Sequence, residues 1–556
     1  MCGIIGIWDF KDKINRDEFS FLRDLLAHRG PDGAGLYFSE NGNIALGHRR
    51  LSLIDLSETG TQPMCNEDRT IWLTANGEIY NYKELRKELI SLGHVFTSSG
   101  DSEVIIHGYE EWGSNLPGKL KGMFAFCIYD ENTHQFFMAR DRFGIKPFYY
   151  YHKKDVFIFA SELKSIVSYH DFTKEIDTVS VCNYLTYRYV PSPQTIWKDT
   201  YKLPPAHYLI IKADQTTEIT EYWKLEANNQ HYNEKYLVEK TDEMLNKSVQ
   251  EHLESDVSMG SFLSGGYDSS ALVYYMNRLH YPTQTFSIGF KNWEKSEHKY
   301  AERVSSQFGT EHTSQILDDA SLDIIDQLVS YYDEPLADIS IVPTYFVSRL
   351  ASNKVKAVVS GEGSDEIFAG YTWHQNHGAK TTLWERLFRL KNSFQGIELF
   401  SLLHYANAMA MGLYDKKNLR KTMGNDFQKD IPDDPFWFYG RHFTPEIGKI
   451  KSFQYLDIKT FMGELVLTKI DRASMANSLE VRVPFLDHEL VEFLFSLPEK
   501  DYVKKNTQKF LLYENIKNVL PKEILHRKKQ GFVGPDSYYM NMEWYQKNLK
   551  GSRLVS

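Results

Sequence analysis

A glycine-rich turn between an apolar strand and a helix is the feature that most constrains this chain. Ser261-Phe262-Leu263 runs into Ser264-Gly265-Gly266-Tyr267-Asp268-Ser269-Ser270, and a helical pattern starts at Ser269. Paired glycines let the backbone come close to a phosphate, a helix N-terminus offers unpaired N–H groups, and the serines add hydroxyl donors. No Lys-Ser/Thr follows the glycines, so the pattern predicts a pyrophosphate cradle and not a loop for cleaving between the β- and γ-phosphates. Alternating elements surround it: a helix at 235–253, a strand at 285–290, a helix through Tyr300 and Val304, a polar strand near 312–317 and an apolar strand at 355–359. That alternation predicts a doubly wound parallel sheet. At the end of the last strand lies Ser360-Gly361-Glu362-Gly363-Ser364-Asp365-Glu366. Ends of parallel strands converge on one crevice, so Asp268 and Asp365 are placed to share Mg²⁺ on a triphosphate.

The first 210 residues read differently. Short β-type runs at 70–74, 122–129 and 157–160, with a helix near 82–92 carrying Leu85 and Leu89 on one face, predict an α+β unit. Pro191, Pro193, Pro204 and Pro205 crowd the region before a polar stretch at 215–235, which reads as the linker. Residues 371–556 read as mostly helical, and 381–450 follow no clear pattern. The expected division is 2–210 and 236–540. A chain of 556 residues with net charge −10 and pI about 6.0 has no basic field for nucleic acid. No run of 18 apolar residues or basic leader is present, so a cytoplasmic protein without membrane contact is expected. Cys2, Cys65, Cys127 and Cys182 are scattered, as suits a reducing compartment, and show no zinc-ligand spacing.

Removing Met1 from Met1-Cys2-Gly3-Ile4 would put a thiol and a free α-amine on one residue. An amine with a pKa near 8 is partly able to accept the thiol's proton at neutral pH. Alone, a terminal Cys is more often a small hydrophobe than a nucleophile. Its company decides. The Cys2-Gly3-Ile4 start, His28-Arg29-Gly30-Pro31-Asp32-Gly33, Arg50-Leu51-Ser52, Asn76-Gly77-Glu78-Ile79-Tyr80-Asn81, Gly100-Asp101-Ser102-Glu103 and Arg140-Asp141-Arg142-Phe143-Gly144 resemble a class II glutamine amidotransferase domain. With the two glycine-rich loops, Lys469-Ile470-Asp471-Arg472-Ala473-Ser474-Met475 and Glu480-Val481-Arg482-Val483-Pro484-Phe485-Leu486-Asp487, the chain from residue 2 to about 535 resembles the glutamine-hydrolysing asparagine synthetase family.

The resemblance implies an N-terminal nucleophile domain, an αββα sandwich, followed by an α/β ATP-pyrophosphatase domain with a helical C-terminal part. It implies that Cys2 attacks the glutamine amide, with Asn76 and Gly77 as oxyanion hole, Arg50 on the α-carboxylate, Asp101 on the α-ammonium and Glu78 holding the substrate. ATP is expected on Leu263, Ser264, Gly265, Gly266, Asp268, Ser269, Ser270, Ile288, Ser360 and Gly361, with Glu362 near the acyl group and Mg²⁺ on Asp268 and Asp365. Lys529 best resembles the family's late phosphate-facing Lys, and Lys509 is a second candidate. The implied partners are glutamine, ATP and a carboxylate acceptor, a homodimer being left open. Ammonia is expected to cross a tunnel between the domains, with 123–128 and 473–479 as candidate lining.

Two departures stand out. Position 267 is Tyr where the family usually has Leu, and its side chain is expected to point away from the phosphate. The segment Asp333-Glu334-Pro335-Leu336-Ala337-Asp338-Ile339-Ser340 lacks the Arg that grips aspartate in well-studied members, while Asp338 and Ser340 suit hydroxyls or an amine. Aspartate is the leading acceptor, converted through a β-aspartyl-AMP, and a sugar uronate of a surface polysaccharide is the alternative.

Overall fold

The computed structural model describes residues 2–318, 324–376, 402, 404–406, 408–409, 416–504, 507–527, 531 and 534–535. Two six-stranded antiparallel sheets make up the first part. One contains β1 (Gly3–Asp9), β2 (Gly33–Phe38), β3 (Ile44–Arg50), β8 (Tyr149–Lys153), β9 (Val156–Ala160) and β10 (Thr200–Lys202) in the order β10-β8-β9-β1-β3-β2. The other contains β4 (Met64–Cys65), β5 (Ile71–Ile79), β6 (Gly122–Asp130), β7 (Gln135–Arg140), β11 (His207–Lys212) and β12 (Thr217–Glu221) in the order β12-β11-β7-β6-β5-β4.

The period-2 rule of a strand explains why the sheets stack. On β6, Ala125, Cys127 and Tyr129 face the other sheet, where they meet Ile4, Trp8 and Leu46. Phe124, Phe126 and Ile128 alternate to the opposite face, against the helices Tyr82–Leu92 and Glu103–Trp112. Beyond the first sheet, Ile5 and Ile7 meet Phe19 and Leu22 of the helix Arg16–Asp24. The layers are therefore helix, sheet, sheet, helix, as the resemblance implied. The second sheet runs past residue 210: β12 is an edge strand inside the stretch read as linker. Its polar, outward-facing residues are what edge strands use to discourage further pairing.

The second part is built on a five-stranded parallel sheet of β13 (Met259–Phe262), β14 (Gln284–Phe290), β15 (Glu311–Leu317), β16 (Ala357–Val359) and β17 (Glu480–Arg482), in the order β15-β14-β13-β16-β17. The order reverses between β13 and β16, so both glycine-rich loops leave the sheet at its topological switch point. The helix after the first loop begins at Tyr267, two residues earlier than the sequence pattern suggests. Later, the wide π-helix Asp457–Leu467 runs directly into the helix Thr468–Met475. Long π segments are rare and gather at functional sites.

Buried charge joins the two parts. Arg29, 0% exposed, forks onto Asp471 at 2.9 and 3.1 Å and also reaches Glu162 at 2.8 Å. Arg472 meets Glu162 at 3.0 Å and Asp333 at 3.3 Å. Elsewhere on the boundary, Arg482 meets Glu78 at 2.9 Å, and Lys121 meets Glu251 and Asp487 at 2.7 and 2.8 Å. Removing one member of such a cluster leaves its partners charged and dry. Arg29→Met is expected to cost about 3–5 kcal/mol in chemical denaturation, far more than an exposed pair would. A loss below about 1 kcal/mol would show that the cluster is not needed to hold the two parts together.

Candidate functional site

The structure gathers the predicted residues into two centres. The first is a small cavity of about 40 Å³ lined by Cys2, His48, Arg50, Gly77, Glu78, Ser98 and Asp101 among others. β1 and β5 are interior strands of different sheets, and the stacking of the sheets brings Cys2 to Asn76: the Cys2 nitrogen donates to Asn76 Oδ1 at 2.9 Å. That nitrogen is an amide while Met1 is attached and becomes the α-amine once Met1 is removed. Asn76 is fully buried, and its Nδ2 has no hydrogen-bond partner among the described residues, so it is free to donate to an oxyanion. At Gly77 a Cβ would come within 2.1 Å of the Met123 carbonyl, so the neighbouring strand demands glycine there.

Electrostatics around Cys2 argue against thiolate formation without a base. Burial pushes the thiol up, and the nearby His48 stays neutral, lowered to about 3 by its burial. His48 Nε2 lies 3.1 Å from the Ala75 carbonyl and therefore carries the proton. Arg50 donates to the carbonyls of Asp55 and of Ser57, the latter at 2.7 Å, and so is fixed across the loop that forms the cavity mouth. Asp101 accepts from the Ile79 N–H at 2.8 Å, and burial raises its carboxyl above the usual range. Glu78 lines the same cavity, but its carboxylate is paired with Arg482 of the second part. Sequence reasoning missed that partner, because nothing local connects residues so far apart.

The second centre is a cavity of about 510 Å³ over the carboxyl ends of β13, β14 and β16. Leu263, Ser264, Gly266, Asp268, Ser269, Ile288, Ser360 and Gly361 line it, as do Glu362 and Asp365. Gly265 and Ser270 do not. Gly265 holds the turn at φ +70° and packs on Tyr300, where a Cβ would meet backbone at 2.6 Å. Ser270 is fully buried in the helix. Tyr267 lines the cavity, yet its hydroxyl turns away to donate to the Leu525 carbonyl.

Lys529 lies outside the described residues. Lys509 stands at the centre of the site, its Nζ 2.5 Å from Asp268, 2.9 Å from Asp365 and 3.1 Å from the Ser364 hydroxyl. Burial alone would lower Lys509, but the charges of Asp268 and Asp365 hold it above its usual value. Its backbone sits at φ +49°, a conformation costly for a side chain with a Cβ and typical of functional sites. A lone Lys in a polar stretch gave no signal in sequence beyond the resemblance. The two carboxylates that Lys509 bridges are hard oxygen donors on adjacent loops, a set that fits Mg²⁺. Glu362 Oε2 is buried without a hydrogen-bond partner among the described residues.

The same cavity is lined by Asp338, Ser340, Lys469 and Ile470, with Phe461 and Val466 from the π-helix. Lys469 donates to the Ser340 hydroxyl at 2.9 Å, and Ser340 donates in turn to Asp338 through its N–H at 2.7 Å and through its hydroxyl. Burial would raise Asp338, but the charge of Lys469 and these hydrogen bonds hold it below its usual range. Asp333 and Glu334 point elsewhere. Asp333 meets Arg472 and accepts from the Lys164 N–H of the first part at 3.1 Å, and Glu334 meets Lys202 at 2.8 Å. Half of the segment that lacks an Arg thus straps the two parts together, and only Asp338 to Ser340 face the cavity.

These two centres, a partly buried thiol beside a carboxamide and a glycine-rich anion cradle at a sheet switch point, define a two-site amidotransferase. Residues 1–223 match the family model described as "Glutamine amidotransferase domain", and residues 240–555 match the one described as "Asparagine synthase". Asparagine synthetase (glutamine-hydrolyzing) 1 of Bacillus subtilis is 33% identical over 575 residues, covering 98% of this chain and 88% of that protein. A putative asparagine synthetase (glutamine-hydrolyzing) 2 of Methanocaldococcus jannaschii is 39% identical over 68% of this chain and 76% of its own length. Amidase chry2 of Gibberella zeae is 29% identical over 94% of this chain and 86% of its own length. The chain belongs to the glutamine-hydrolysing asparagine synthetase family and is a glutamine-dependent carbon–nitrogen ligase.

Glu366, beside Asp365, is buried in the cavity wall, where burial and the charges of Asp365 and Asp457 raise its carboxyl to about 8. The folded chain therefore keeps a proton that the unfolded chain releases above about 4.5. Stability carried by this group falls as pH rises from about 4.5 towards 8 and is level beyond. In Glu366→Gln that component is expected to vanish, so denaturation midpoints below and above pH 8 should differ less than in the parent. An unchanged difference would show Glu366 to be ionised throughout.

Proposed function

We propose that the chain converts aspartate to asparagine, with glutamine as nitrogen donor and ATP cleaved to AMP and pyrophosphate. In this reading, Cys2 Sγ attacks the glutamine amide carbon while the α-amine takes the thiol proton and passes it to the leaving ammonia. Asn76 Nδ2 and the Gly77 N–H hold the oxyanion, Arg50 and Asp101 hold the two ends of glutamine, and water then releases glutamate. In the larger cavity the acceptor carboxylate attacks the α-phosphorus and pyrophosphate departs. Ammonia then displaces AMP from the acyl carbon. Lys509 stays charged beside the phosphates and stabilises the leaving pyrophosphate. Asp268 and Asp365 are the residues that would hold Mg²⁺, which would offset the triphosphate's charge.

The observation that carries the choice of acceptor is the trio Asp338, Ser340 and Lys469. An ionised carboxylate and an ammonium joined through one hydroxyl match the α-ammonium and α-carboxylate of an amino acid, leaving its side-chain carboxylate free to turn to the α-phosphorus. Lys469 takes the place of the missing Arg. A sugar uronate is the second reading, favoured by a cavity of about 510 Å³ and by hydrogen-bonding groups that suit hydroxyls as well. Pyrophosphate release from ATP and glutamine across a panel of carboxylates decides between them. Aspartate should stand at least about tenfold above any uronate, a margin of about 1.4 kcal/mol, and Lys469→Met and Lys509→Met should each abolish it. Silence with aspartate would sink the reading.

Ammonia must pass between centres without meeting bulk water. Leu51, Leu53, Met123, Phe143 and Ile145 of the first part share one apolar cluster with Met462, Ile470, Met475 and Val481 of the second, and Ile470 also lines the acceptor cavity. This is the proposed path. Ile470→Phe is expected to preserve glutamine hydrolysis while amide formed per glutamate falls several-fold, the ordinary cost of overpacking being about 1–3 kcal/mol. Equal loss of both activities would count against the path.

A further inference from the structure

We propose a second metal centre, remote from the ATP cavity: one divalent cation of the zinc class held by Glu67, His94, His107 and Glu110. One ligand atom from each of the four lies within 4.8 Å of all the others. His107 Nδ1 stands 2.9 Å from Glu110 Oε2 and 3.8 Å from Glu67 Oε2, and His94 Nδ1 stands 3.5 Å from Glu110 Oε2. Tetrahedral zinc with bonds near 2.0–2.1 Å separates its ligand atoms by about 3.4 Å, a value inside that spread. Two neutral imidazoles and two carboxylates also balance a dication's charge. Zinc, cobalt and nickel suit such a nitrogen and oxygen set better than magnesium or calcium do.

The second observation is the outer shell, because three of the four groups have their far atom hydrogen-bonded from outside and the fourth, His107, has a carboxylate behind its far nitrogen. His94 Nε2 meets Glu111 at 2.9 Å, and His107 Nε2 faces Glu103 at 3.7 Å. Glu67 Oε1 accepts from the Val95 N–H at 2.9 Å, and Glu110 Oε1 accepts from Asn66 Nδ2 at 2.8 Å. Carboxylates behind the far nitrogens of ligating histidines orient the rings and raise their basicity. Surface ion pairs have no need of four groups converging on one point with three of their outer atoms hydrogen-bonded from behind.

The position also matters. Glu67 belongs to the turn between β4 and β5, His94 follows the helix Tyr82–Leu92, and His107 and Glu110 lie on the helix Glu103–Trp112. Glu103 accepts from the N–H groups of Thr97 and Ser98, each at 2.7 Å, so its carboxylate supports both His107 and the loop that leads to Asp101. A cation here clips that loop to the helix behind it, at the back of the Cys2 cavity.

The test uses the full chain, untagged and stripped with EDTA, then titrated with Zn²⁺. One equivalent should bind and raise the thermal midpoint, as any ligand of the native state does. His94→Asn combined with Glu110→Gln should weaken binding at least about 100-fold, and Glu111→Gln alone about 10-fold, the usual effect of an outer-shell loss. Cys2→Ala should leave binding intact. Co²⁺ in the unaltered chain supplies a reading that no folding defect can mimic: an intense tetrahedral d–d band without a thiolate charge-transfer band. Absence of a bound equivalent, binding unaffected by the double substitution, a weak octahedral spectrum or a thiolate band would each overturn the proposal.

Discussion

The contact between Arg29 and Asp471 governs how the two centres can work together. It is a bidentate pair with both partners buried, and it joins residues separated by 442 positions. Around it, Arg29, Arg472 and Lys164 balance Glu162, Asp471 and Asp333, Lys164 reaching Glu162 at 2.8 Å. Such a cluster contributes little net stability against an apolar replacement of the same shape, but it tolerates only one arrangement of its members. Registry is what it supplies. Arg29 also donates through Nε to the Cys2 carbonyl at 3.1 Å, so the group that fixes the second part against the first also fixes the nucleophile.

The same logic extends along the boundary. Glu78, in the wall of the thiol cavity, meets Arg482 on β17, which is hydrogen-bonded to the carbonyls of His252 and Glu254 at 2.9 and 2.6 Å and to Glu480 at 2.6 Å. β17 pairs with β16, and the loop after β16 carries Glu362 and Asp365. On the other side, Asp333 accepts from the Lys164 N–H and Glu334 meets Lys202, both of the first part, only a few residues before Asp338 and Ser340 enter the cavity. Both walls of the larger cavity are therefore continuous, through short stretches of backbone, with residues that touch the thiol centre or its supports.

What could be read from sequence follows how local the physics is. The turn at 264–270 was legible because glycine, a helix start and hydroxyl donors act within seven residues, and the structure puts that turn at the switch point of a parallel sheet. Cys2 and Asn76 were legible only through resemblance, since the 2.9 Å contact between them spans two sheets. β12 was misread as linker because an exposed edge strand carries the same polar residues a linker does. The segment at 333–340 was only half legible: composition says that it is acidic, but not that Asp333 and Glu334 turn to Arg472 and Lys202 while Asp338 turns to the cavity. Lys509 could not be ranked above other lysines, because its meaning comes entirely from two carboxylates 241 and 144 positions away that converge on its Nζ.

Charge in the larger cavity gives the arrangement its direction. Asp268, Asp338, Glu362 and Asp365 line it against Lys469 and Lys509, with Arg527 and Glu297 paired to each other alongside, an acidic balance that would repel a triphosphate if nothing intervened. Glu366 eases this by staying protonated near neutral pH, since a further charge beside Asp365 would lack a counter-ion in a dry wall. Lys509 is paired with both Asp268 and Asp365. On the proposed reading, phosphates would compete for Lys509, and Asp268 and Asp365 would then hold Mg²⁺ in its place. Lys469, by contrast, is bound to a hydroxyl and not to a carboxylate, so its charge is only partly met. The cavity thus carries two ammonium groups in different settings, Lys509 held between two carboxylates and Lys469 on a hydroxyl.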